Sequence, residues 1–247
     1  MIHLRADFHV HTVLSPCADV EMIPPLIVET AIERGISLLA ITDHNASANI
    51  LAVQRAAQGT EVTILPGMEL QTIEEVHVVC LFDSLEQSLA FQAMVDRVLP
   101  VIPNNVEYFG EQFVVDETGA FIRREDRLLL TSTQWTLRQA WEAVYGLGGL
   151  MIPAHVNRKA NGLLAILGLV PDDVPIEMLE ISLHTTPEQA YQDFPALKGY
   201  PLIQDGDAHF LEDIRGLNDL SLEEITVDEI RRAVLGIDGR SHRVLKE

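Results

Sequence analysis

Histidines and carboxylates stand at the ends of five apolar segments of this sequence. The segments end in DFHVH, ITDH, PGME, PAH and DGDAH. Imidazole nitrogens and carboxylate oxygens bind Zn²⁺ at about 2.0–2.2 Å, and a carboxylate can bridge two ions. The residues that share this placement, and that we therefore expect to bind metal, are His9, His11, His44, Glu69, His155, Asp207 and His209.

The spacing of two pairs supports this interpretation. His9 and His11 are two positions apart, and so are Asp207 and His209. On a β-strand, side chains at i and i+2 lie on the same face, roughly 7 Å apart along the strand. Each pair can therefore contact one metal ion or two adjacent ions.

His77 is a further candidate ligand. It begins another apolar run, HVVCLF, a short distance after Glu69, and its position suits the rim of the same cavity. Six histidines and several carboxylates exceed the four ligands of one tetrahedral ion. The count of candidate ligands predicts a multinuclear site.

The segments that carry these residues alternate between strand and helix patterns. LRADFHVHT alternates apolar and polar residues, which is typical of a strand, and helical patterns cover 22–35, 47–58 and 84–99. The later half repeats the plan with GLMIPAH, IEMLEISLH and YPLIQDGDAH as strands and TVDEIRRAVLG as the closing helix. This alternation predicts an α/β protein with a mainly parallel sheet and enough units to close into a barrel. The strand ends of such a barrel converge on one face, so ligands far apart in sequence would meet there.

Residues 103–133 interrupt the alternation. This segment has the pattern of a β-hairpin that turns near 116–119 and is inserted between two helices. Long insertions in compact folds are often lids or binding loops. A plain surface hairpin is the alternative.

Composition limits the class of protein. The chain has 247 residues, with 17 Lys and Arg against 37 Asp and Glu, so its formal net charge is −20. We expect one domain over residues 1–247 and no long nucleic acid as a partner, because such binding rests on cations that neutralise phosphates. Two cysteines are too few for a disulfide scaffold, and the sequence has neither a signal-peptide pattern nor a membrane-length apolar run. A cytoplasmic protein without membrane contact is expected, and its oligomeric state is open.

The motifs DFHVHTVLSPCAD, AITDHN, PGMEL, EVHVV, IPAHVNR and DGDAH follow one another in this order. Together they resemble the PHP family, named for polymerase and histidinol phosphatase, and the resemblance extends over nearly the whole chain. It implies a distorted (β/α)₇ TIM-like barrel with up to three divalent metals at the C-terminal rim. It also implies hydrolysis of phosphate esters.

The resemblance distributes the ligands over three metal centres. The first would hold His9, His11, Glu69 as a bridging carboxylate and Asp207; the second would hold His77 and His155 and share Glu69; the third would hold His44 and His209. Two to three divalent ions are therefore expected, with zinc first and manganese or iron as alternatives.

The third centre departs from the family pattern. Many relatives have a His or Asp shortly after the HxH pair, whereas here the candidates are Cys17 and Asp19. A thiolate is a softer ligand than a carboxylate. We expect Cys17 to contact the site with Asp19 close by; the alternative for Cys17 is a buried small hydrophobe.

These ligands predict phosphoryl-transfer chemistry. A metal cluster neutralises phosphate oxygens and lowers the pKa of bound water towards about 7. We expect in-line attack on phosphorus by a hydroxide that bridges the metals, with Glu69 as the bridging ligand and Asp207 as ligand and candidate proton acceptor. Asp7 and Asp43 lie beside predicted ligands and are candidates to orient imidazoles, although Asp43 could instead cap a helix.

Three further residues are candidates for substrate contact. Arg158 and Lys159 directly follow PAHVN and are the cations nearest to a predicted ligand, so they are expected to bind the substrate phosphate. An ordinary solvated pair is the alternative. His184 ends the predicted strand IEMLEISLH and is a candidate general acid or substrate contact.

The leading hypothesis is a metal-dependent phosphatase for a small phosphomonoester. A nucleotide or short-oligonucleotide phosphodiesterase or exonuclease is the alternative enzyme that the resemblance covers. Barrel amidohydrolases also use HxH but add a metal-bridging lysine, and no lysine ends an apolar run here. A non-catalytic, metal-binding regulatory PHP domain is the alternative from another class.

Overall fold

The computed structural model describes residues 1–246. These residues contain eleven strands: β1 (Ile2–Val10), β2 (Leu38–Ile41), β3 (Thr63–Gln71), β4 (His77–Leu81), β5 (Phe113–Val115), β6 (Phe121–Arg124), β7 (Leu150–Pro153), β8 (Leu179–Ile181), β9 (Leu202–Gln204), β10 (Asn218–Leu222) and β11 (Ser241–Val244).

Eight α-helices lie in the same residues: α1 (Pro24–Glu33), α2 (Ile50–Ala56), α3 (Leu85–Val95), α4 (Val106–Phe109), α5 (Leu137–Gly146), α6 (Leu163–Leu167), α7 (Pro187–Asp193) and α8 (Val227–Leu235). The predicted helices over 22–35, 47–58 and 84–99 are present but shorter. None of the described helices is long and apolar enough to cross a membrane.

Seven strands form one curled sheet in the order β11-β10-β1-β2-β3-β4-β7, and β8 pairs with β9 in a second, parallel sheet. The small sheet lies between β7, at one end of the large sheet, and β1, the third strand from its other end. Beyond β7, the Val156 N–H donates to the Glu180 carbonyl at 2.9 Å. Beyond β9, Ala208 forms a parallel bridge with Val10 at the end of β1. The α/β architecture agrees with the sequence analysis, and the count of seven β/α units stays a prediction.

Strand direction differs from the expected mainly parallel sheet. β1, β2 and β3 run parallel, but β4 is antiparallel to both β3 and β7. Only residues 72–76 connect β3 to β4, and a parallel pair needs a crossover of a dozen or more residues. The short connection therefore forces a hairpin. The sequence analysis also missed β10 and β11, which add antiparallel strands beside β1.

A bulge in β1 directs its side chains. The pairing of β1 with β2 shifts register between Asp7 and Val10. Phe8 packs with Leu4 in the cluster between the sheet and α8, whereas Val10 packs against α1 and α2. Bulges re-aim neighbouring side chains and are frequent beside active sites. This one turns the end of β1, including His11, towards the cavity described below.

The 103–133 segment contains α4 and the antiparallel pair of β5 and β6, which turns over 116–119. It packs on the loop after β1, where the Phe113 N–H donates to the Val13 carbonyl at 2.9 Å. Gly110 has φ +98°, and a Cβ there would lie 2.4 Å from the Pro16 carbonyl oxygen, so this contact requires glycine. That the segment is an insertion, and that residues 1–247 form one domain, stay predictions.

Candidate metal centre

The Glu69 carboxylate lies at the centre of the predicted ligands. Glu69 belongs to β3 and is 1% exposed. Its two oxygens contact five imidazoles: His9 Nε2 at 3.3 Å, His11 Nε2 at 3.4 Å, His44 Nδ1 at 2.8 Å, His77 Nδ1 at 2.7 Å and His155 Nε2 at 3.1 Å. The ends of β1, β2, β3, β4 and β7 converge as the barrel prediction requires.

Asp207 is the second carboxylate of the cluster. Its Oδ1 lies 3.3 Å from both His9 Nε2 and His11 Nε2 and 3.5 Å from His209 Nδ1. The His209 Nδ1–H donates to the Asp207 carbonyl at 2.8 Å, so the other ring nitrogen of His209 is the one available as a ligand.

The candidate ligands form three groups. Within each group, the ligand atoms all lie within 4.8 Å of one another. The groups are His9, His11, Glu69 and Asp207; His44, Glu69 and His77; and His11, His44 and His209. The first group has the composition that the resemblance implies for the first centre. The second contains His44 rather than His155, although His155 also contacts Glu69. The third forms without Cys17 or Asp19.

Several polar atoms of this cluster point at one another without a hydrogen-bond partner among the described residues. They are His9 Nε2, His11 Nε2, Glu69 Oε2 and Asp207 Oδ1, all buried. Buried polar atoms are nearly always paired because an unpaired one costs free energy. Lone pairs that converge from imidazoles and carboxylates are the donor set that divalent cations such as Zn²⁺ take. The cluster therefore fits a multinuclear metal site.

Glu180 binds the ring nitrogen of His9 that faces away from the cluster, Nδ1. Its Oε2 accepts from His9 Nδ1–H at 2.9 Å, and its Oε1 accepts from the His155 backbone N–H at 3.1 Å. In the neutral ring, this bond keeps the proton on Nδ1 and leaves Nε2 as the ligand atom that faces the cluster. The sequence analysis missed Glu180; the available signal was an acidic residue inside the apolar run of β8.

Ser15 and Asp43 orient the imidazole of His11 in a similar way. Ser15 Oγ lies 2.8 Å from Asp43 Oδ1 and 2.9 Å from His11 Nδ1. Because a carboxylate only accepts, the hydroxyl donates to Asp43 and accepts from His11 Nδ1–H. Asp43 thus orients an imidazole, as expected, but through Ser15. The helix-cap alternative is wrong because Asn49 is the N-cap of α2.

Asp7 contacts no imidazole, so the expectation that it orients one is wrong. Its Oδ2 accepts from the backbone N–H groups of Arg215 at 2.9 Å and Gly216 at 3.1 Å, and its Oδ1 is 3.4 Å from Gly206 N. Asp7 instead fastens the loop that carries Asp207 to β1. Its partners belong to a loop far along the chain, and sequence spacing does not reveal such contacts.

Two predicted ligands have a strained backbone. His155 has φ 30° and Asp207 has φ 47°, which non-glycine residues rarely adopt. Next to Asp207, a Cβ on Gly206 would lie 1.8 Å from the Asp213 carbonyl oxygen. Such strain persists only where surrounding contacts impose it, and it concentrates at functional sites.

The cluster shifts the pKa values of its members in opposite directions. Burial alone would raise the pKa of Glu69, but His77, His9 and His44 hold it well below its ordinary value. Burial alone would lower the pKa of His9, but Glu180, Glu69 and Asp207 raise it well above. These directions keep Glu69 ionised and His9 basic.

His11 and His44 shift the other way. Burial, followed by repulsion from His209 and His44, holds the pKa of His11 well below its ordinary value. Burial also lowers the pKa of His44, against the attraction of Glu69. Both rings are therefore neutral near pH 7, which is the form that binds a metal.

Cys17 and Asp19 are not brought into the ligand groups. Cys17 is exposed at the mouth of the cluster and lines cavities of about 490 and 230 Å³ with His155 and Arg158, so it is not a buried hydrophobe. Burial of its thiol by surrounding atoms and the charges of Glu69 and Asp207 raise its pKa to about 12. The Asp19 carboxylate lines neither cavity and accepts from the Glu21 N–H at 2.9 Å, so it caps a local turn.

The three residues predicted to contact substrate differ in their position relative to the cavities. Arg158 lines both cavities and forms an ion pair with Asp207 Oδ2. His184 is exposed and lines the cavity of about 490 Å³ beside His155. Lys159 is exposed and lines neither cavity. Arg158 and His184 therefore line the cavity beside the cluster, and Lys159 does not.

Comparison with known proteins places this arrangement in a family. Residues 7–138 match the family model described as PHP domain. Over 95 residues, the chain is 34% identical to the 5′-3′ exoribonuclease Rnm of Salmonella typhimurium, a match that spans 36% of this chain and 30% of that relative.

Solved structures share the fold. The lesion-specific endonuclease Q of Pyrococcus furiosus aligns over 98% of this chain and 58% of that chain, with a TM-score of 0.69 and 20% identity. A candidate metal-dependent phosphoesterase of Bifidobacterium adolescentis aligns over 94% of this chain and 95% of that one, with a TM-score of 0.57 and 19% identity. These homologues and neighbours are described as nucleases or phosphoesterases.

The expected exclusion of long nucleic acids is wrong. An endonuclease Q structure that shares this fold, with a TM-score of 0.65, contains a 27-mer duplex with an abasic lesion at the active site. Net charge is a sum over the whole surface, whereas binding depends on the potential of the cleft, which divalent cations invert locally. The charge of −20 thus excludes no substrate of this fold.

The family match extends over more than half of the chain and includes the strands that supply His9, His11, His44, Glu69 and His77. The remaining candidate ligands, His155, Asp207 and His209, lie outside the matched residues. His155 contacts Glu69, and Asp207 contacts His9, His11 and His209. On this match, the chain belongs to the PHP domain family.

Proposed function

We propose that this chain is a metal-dependent phosphoester hydrolase that cleaves phosphodiester bonds of nucleotides or nucleic-acid strands. The observation that carries the proposal is the Glu69 carboxylate, which is buried and contacts five imidazoles. Two of these, His9 and His11, are held in ligand orientation by Glu180 and Ser15. A purely structural role does not account for so many buried ionisable groups, because burying them costs free energy.

Bound divalent ions would be held by the three ligand groups described above, and they would supply neutralisation of phosphate oxygens and a nucleophile at neutral pH. Glu69 contributes one oxygen to each side of the cluster, which suits a bridging carboxylate. Asp207 faces both His9 and His11. Its position at the open side of the cluster suits it to ligate and to accept a proton from an incoming water.

Arg158 and His184 lie where a substrate enters. The Arg158 guanidinium reaches Asp207 Oδ2 across the cavity, so it can reach a phosphate oxygen at the same place. His184 lines the same cavity, and its imidazole is the candidate group to protonate a leaving group. The chain supplies one binding cation and one candidate general acid.

Two observations favour a phosphodiester substrate over the small phosphomonoester that was predicted from the sequence. The cavity of about 490 Å³ is open beyond the ligands and has room for groups on both sides of a phosphate. The Rnm and endonuclease Q proteins that this chain resembles are described as nucleases. The matches span 30% of Rnm and 58% of endonuclease Q.

A small phosphomonoester remains the second candidate. The inner cavity of about 230 Å³ over His44, Glu69 and His77 has room for a phosphoryl group with few further atoms. An amidohydrolase is not favoured, because no lysine lines either cavity among the described residues. The retained ligand set also argues against a purely regulatory domain.

The test is hydrolysis by the purified chain loaded with Zn²⁺, Mn²⁺ or Fe²⁺. Substrates are bis-p-nitrophenyl phosphate, p-nitrophenyl phosphate and a labelled oligonucleotide, with Glu69→Gln as the inactive variant and the exposed Glu117→Gln as its matched control. We expect metal-dependent cleavage of the diester and of the oligonucleotide, lost only in Glu69→Gln. Cleavage of the monoester alone would favour the second candidate, and metal-independent or absent turnover would refute both.

A further inference from the structure

A groove leads away from the metal cluster. The cavity of about 490 Å³ shares Leu183 and His184 with a larger one of about 990 Å³, which continues along Thr185 and Glu188. The larger cavity in turn shares Arg215 and other residues with a third, of about 530 Å³. The three cavities form a continuous path along one side of the barrel.

The far end of this groove is strongly cationic. The third cavity is lined by Arg5, Arg34, Arg215 and Lys246 together with two leucines, and no acidic side chain of the described residues lines it. The whole chain has 17 Lys and Arg against 37 Asp and Glu. Four cations around one cavity are therefore unusual for this surface.

Two of these charges are not neutralised by carboxylates of the described residues. The Arg5 guanidinium donates to three backbone carbonyls, those of Gly216, Arg34 and Arg215, at 2.7–3.1 Å. Arg34 donates to the carbonyls of Glu212 and Ile214. Carbonyl oxygens fix the guanidinium groups without cancelling their charge, so the positive potential persists.

Lys246 adds an exposed charge at the same place. Its Nζ lies 3.4 Å from Glu188 Oε1, and both side chains are mostly exposed. Exposed ion pairs of this kind contribute at most about 1 kcal/mol. A phosphate in the cavity can therefore displace Glu188 as the partner of Lys246.

We propose that the cluster of Arg5, Arg34, Arg215 and Lys246 binds a backbone phosphate of a single-stranded nucleic acid whose scissile phosphate lies at the metal cluster. This inference rests on the proposed function and adds to it a remote phosphate subsite. Arg5 precedes His9 by four positions on β1, which is about 13 Å along a strand.

The structure favours a nucleic-acid strand over an acidic protein segment. The site is connected to the catalytic cavity by a continuous groove, and the substrate proposed for that cavity carries phosphates at regular intervals. Planar, fixed guanidinium groups also match phosphate oxygens well. An acidic peptide has no reason to extend into the metal cavity.

The experiment measures binding of a hydrolysis-resistant phosphorothioate strand of twelve nucleotides to the metal-loaded protein, by fluorescence anisotropy over a range of salt concentrations. The test variant is Arg34→Gln with Lys246→Gln. Its matched control is Arg97→Gln with Lys198→Gln, because both cations are exposed, line none of the three cavities and remove the same charge.

We expect the test variant to bind the strand about tenfold more weakly and to lose on the order of one unit of the slope of log K against log salt, since each phosphate contact of a single strand contributes about 0.7. Binding of a dinucleotide, which is too short to reach the cluster, should be unchanged. The control variant should match the wild-type chain. Lys246→Gln alone, at an exposed side chain, gives a smaller shift and tests the site should Arg34→Gln impair folding.

Equal effects of the test and control variants, or equal competition by poly-glutamate of the same charge, would overturn the proposal. The outcomes also distinguish a failure of the phosphate subsite from a failure of the proposed function. Metal-dependent diester hydrolysis without variant-specific loss of strand binding refutes the subsite alone. Variant-sensitive strand binding without any hydrolysis refutes the proposed function alone.

Discussion

At the scale of single residues, the cluster depends on groups that never touch its centre. Glu180, and Asp43 acting through Ser15, each accept from the Nδ1–H side of a histidine and leave Nε2 free. Partners of this kind orient a metal-binding ring, and their loss typically costs 10–100-fold in metal affinity. The geometry of the site is therefore set from outside the ligand groups.

Ser15→Ala is expected to weaken metal binding about 10–100-fold, because it removes the acceptor of His11 Nδ1–H and disconnects Asp43. The measurement is competition for Zn²⁺ with a chromophoric chelator. Ser47→Ala is the control, since Ser47 is also buried but bonds Gln92. Equal affinities of the two variants would show that Ser15 does not position His11.

Glu180→Gln is expected to lower the pKa of His9 in the metal-free protein. Opposing the effect of burial, Glu180 is the largest influence that raises this pKa, and the amide removes its charge while keeping its shape. Titration of the imidazole by NMR measures the shift, with Glu177→Gln, at a partly exposed carboxylate paired with Arg231, as the control. An unchanged His9 titration would exclude Glu180 as its charge partner.

At the scale of elements, the sequence predicted which strand ends meet but not how the strands run. Seven of the candidate ligands were found because each follows an apolar run, a signal that is local. Glu180 and Ser15 were missed because their roles arise from contacts between distant segments, which spacing does not show. The antiparallel β4 and the bulge in β1 follow from pairing rather than from propensity.

The loop after β9 shows how an element fixes a ligand. Gly206→Ala is expected to destabilise the fold by about 1–3 kcal/mol and to reduce bound metal, because its Cβ would collide with the Asp213 carbonyl beside Asp207. Urea unfolding and elemental analysis measure the two effects. Gly146→Ala is the control, since nothing lies within 4 Å of its Cβ. A variant that matches this control in both measurements would show that the loop tolerates a side chain.

At the scale of the whole molecule, the cluster makes stability depend on both pH and metal. In the metal-free protein, the raised pKa of His9 contributes stability below its ordinary value of 6.5, and that stability is lost as pH rises through the folded value. The lowered pKa of Glu69 contributes stability above its ordinary value of 4.5, lost as pH falls. These two groups alone favour the metal-free fold between the two ordinary values.

Metal binding should shift this optimum towards higher pH. A divalent ion must displace the proton of His9, while His11 and His44 are already neutral, so its affinity rises with pH and it stabilises the fold by mass action. We expect Zn²⁺ to raise Tm more at pH 8 than at pH 6, and a chelator to abolish the difference. Thermal unfolding at both pH values, with Glu69→Gln as the variant that binds metal poorly, measures this. A Zn²⁺-induced change in Tm that is the same at both pH values would show that no ligand proton is displaced, and would remove His9 from the metal centre.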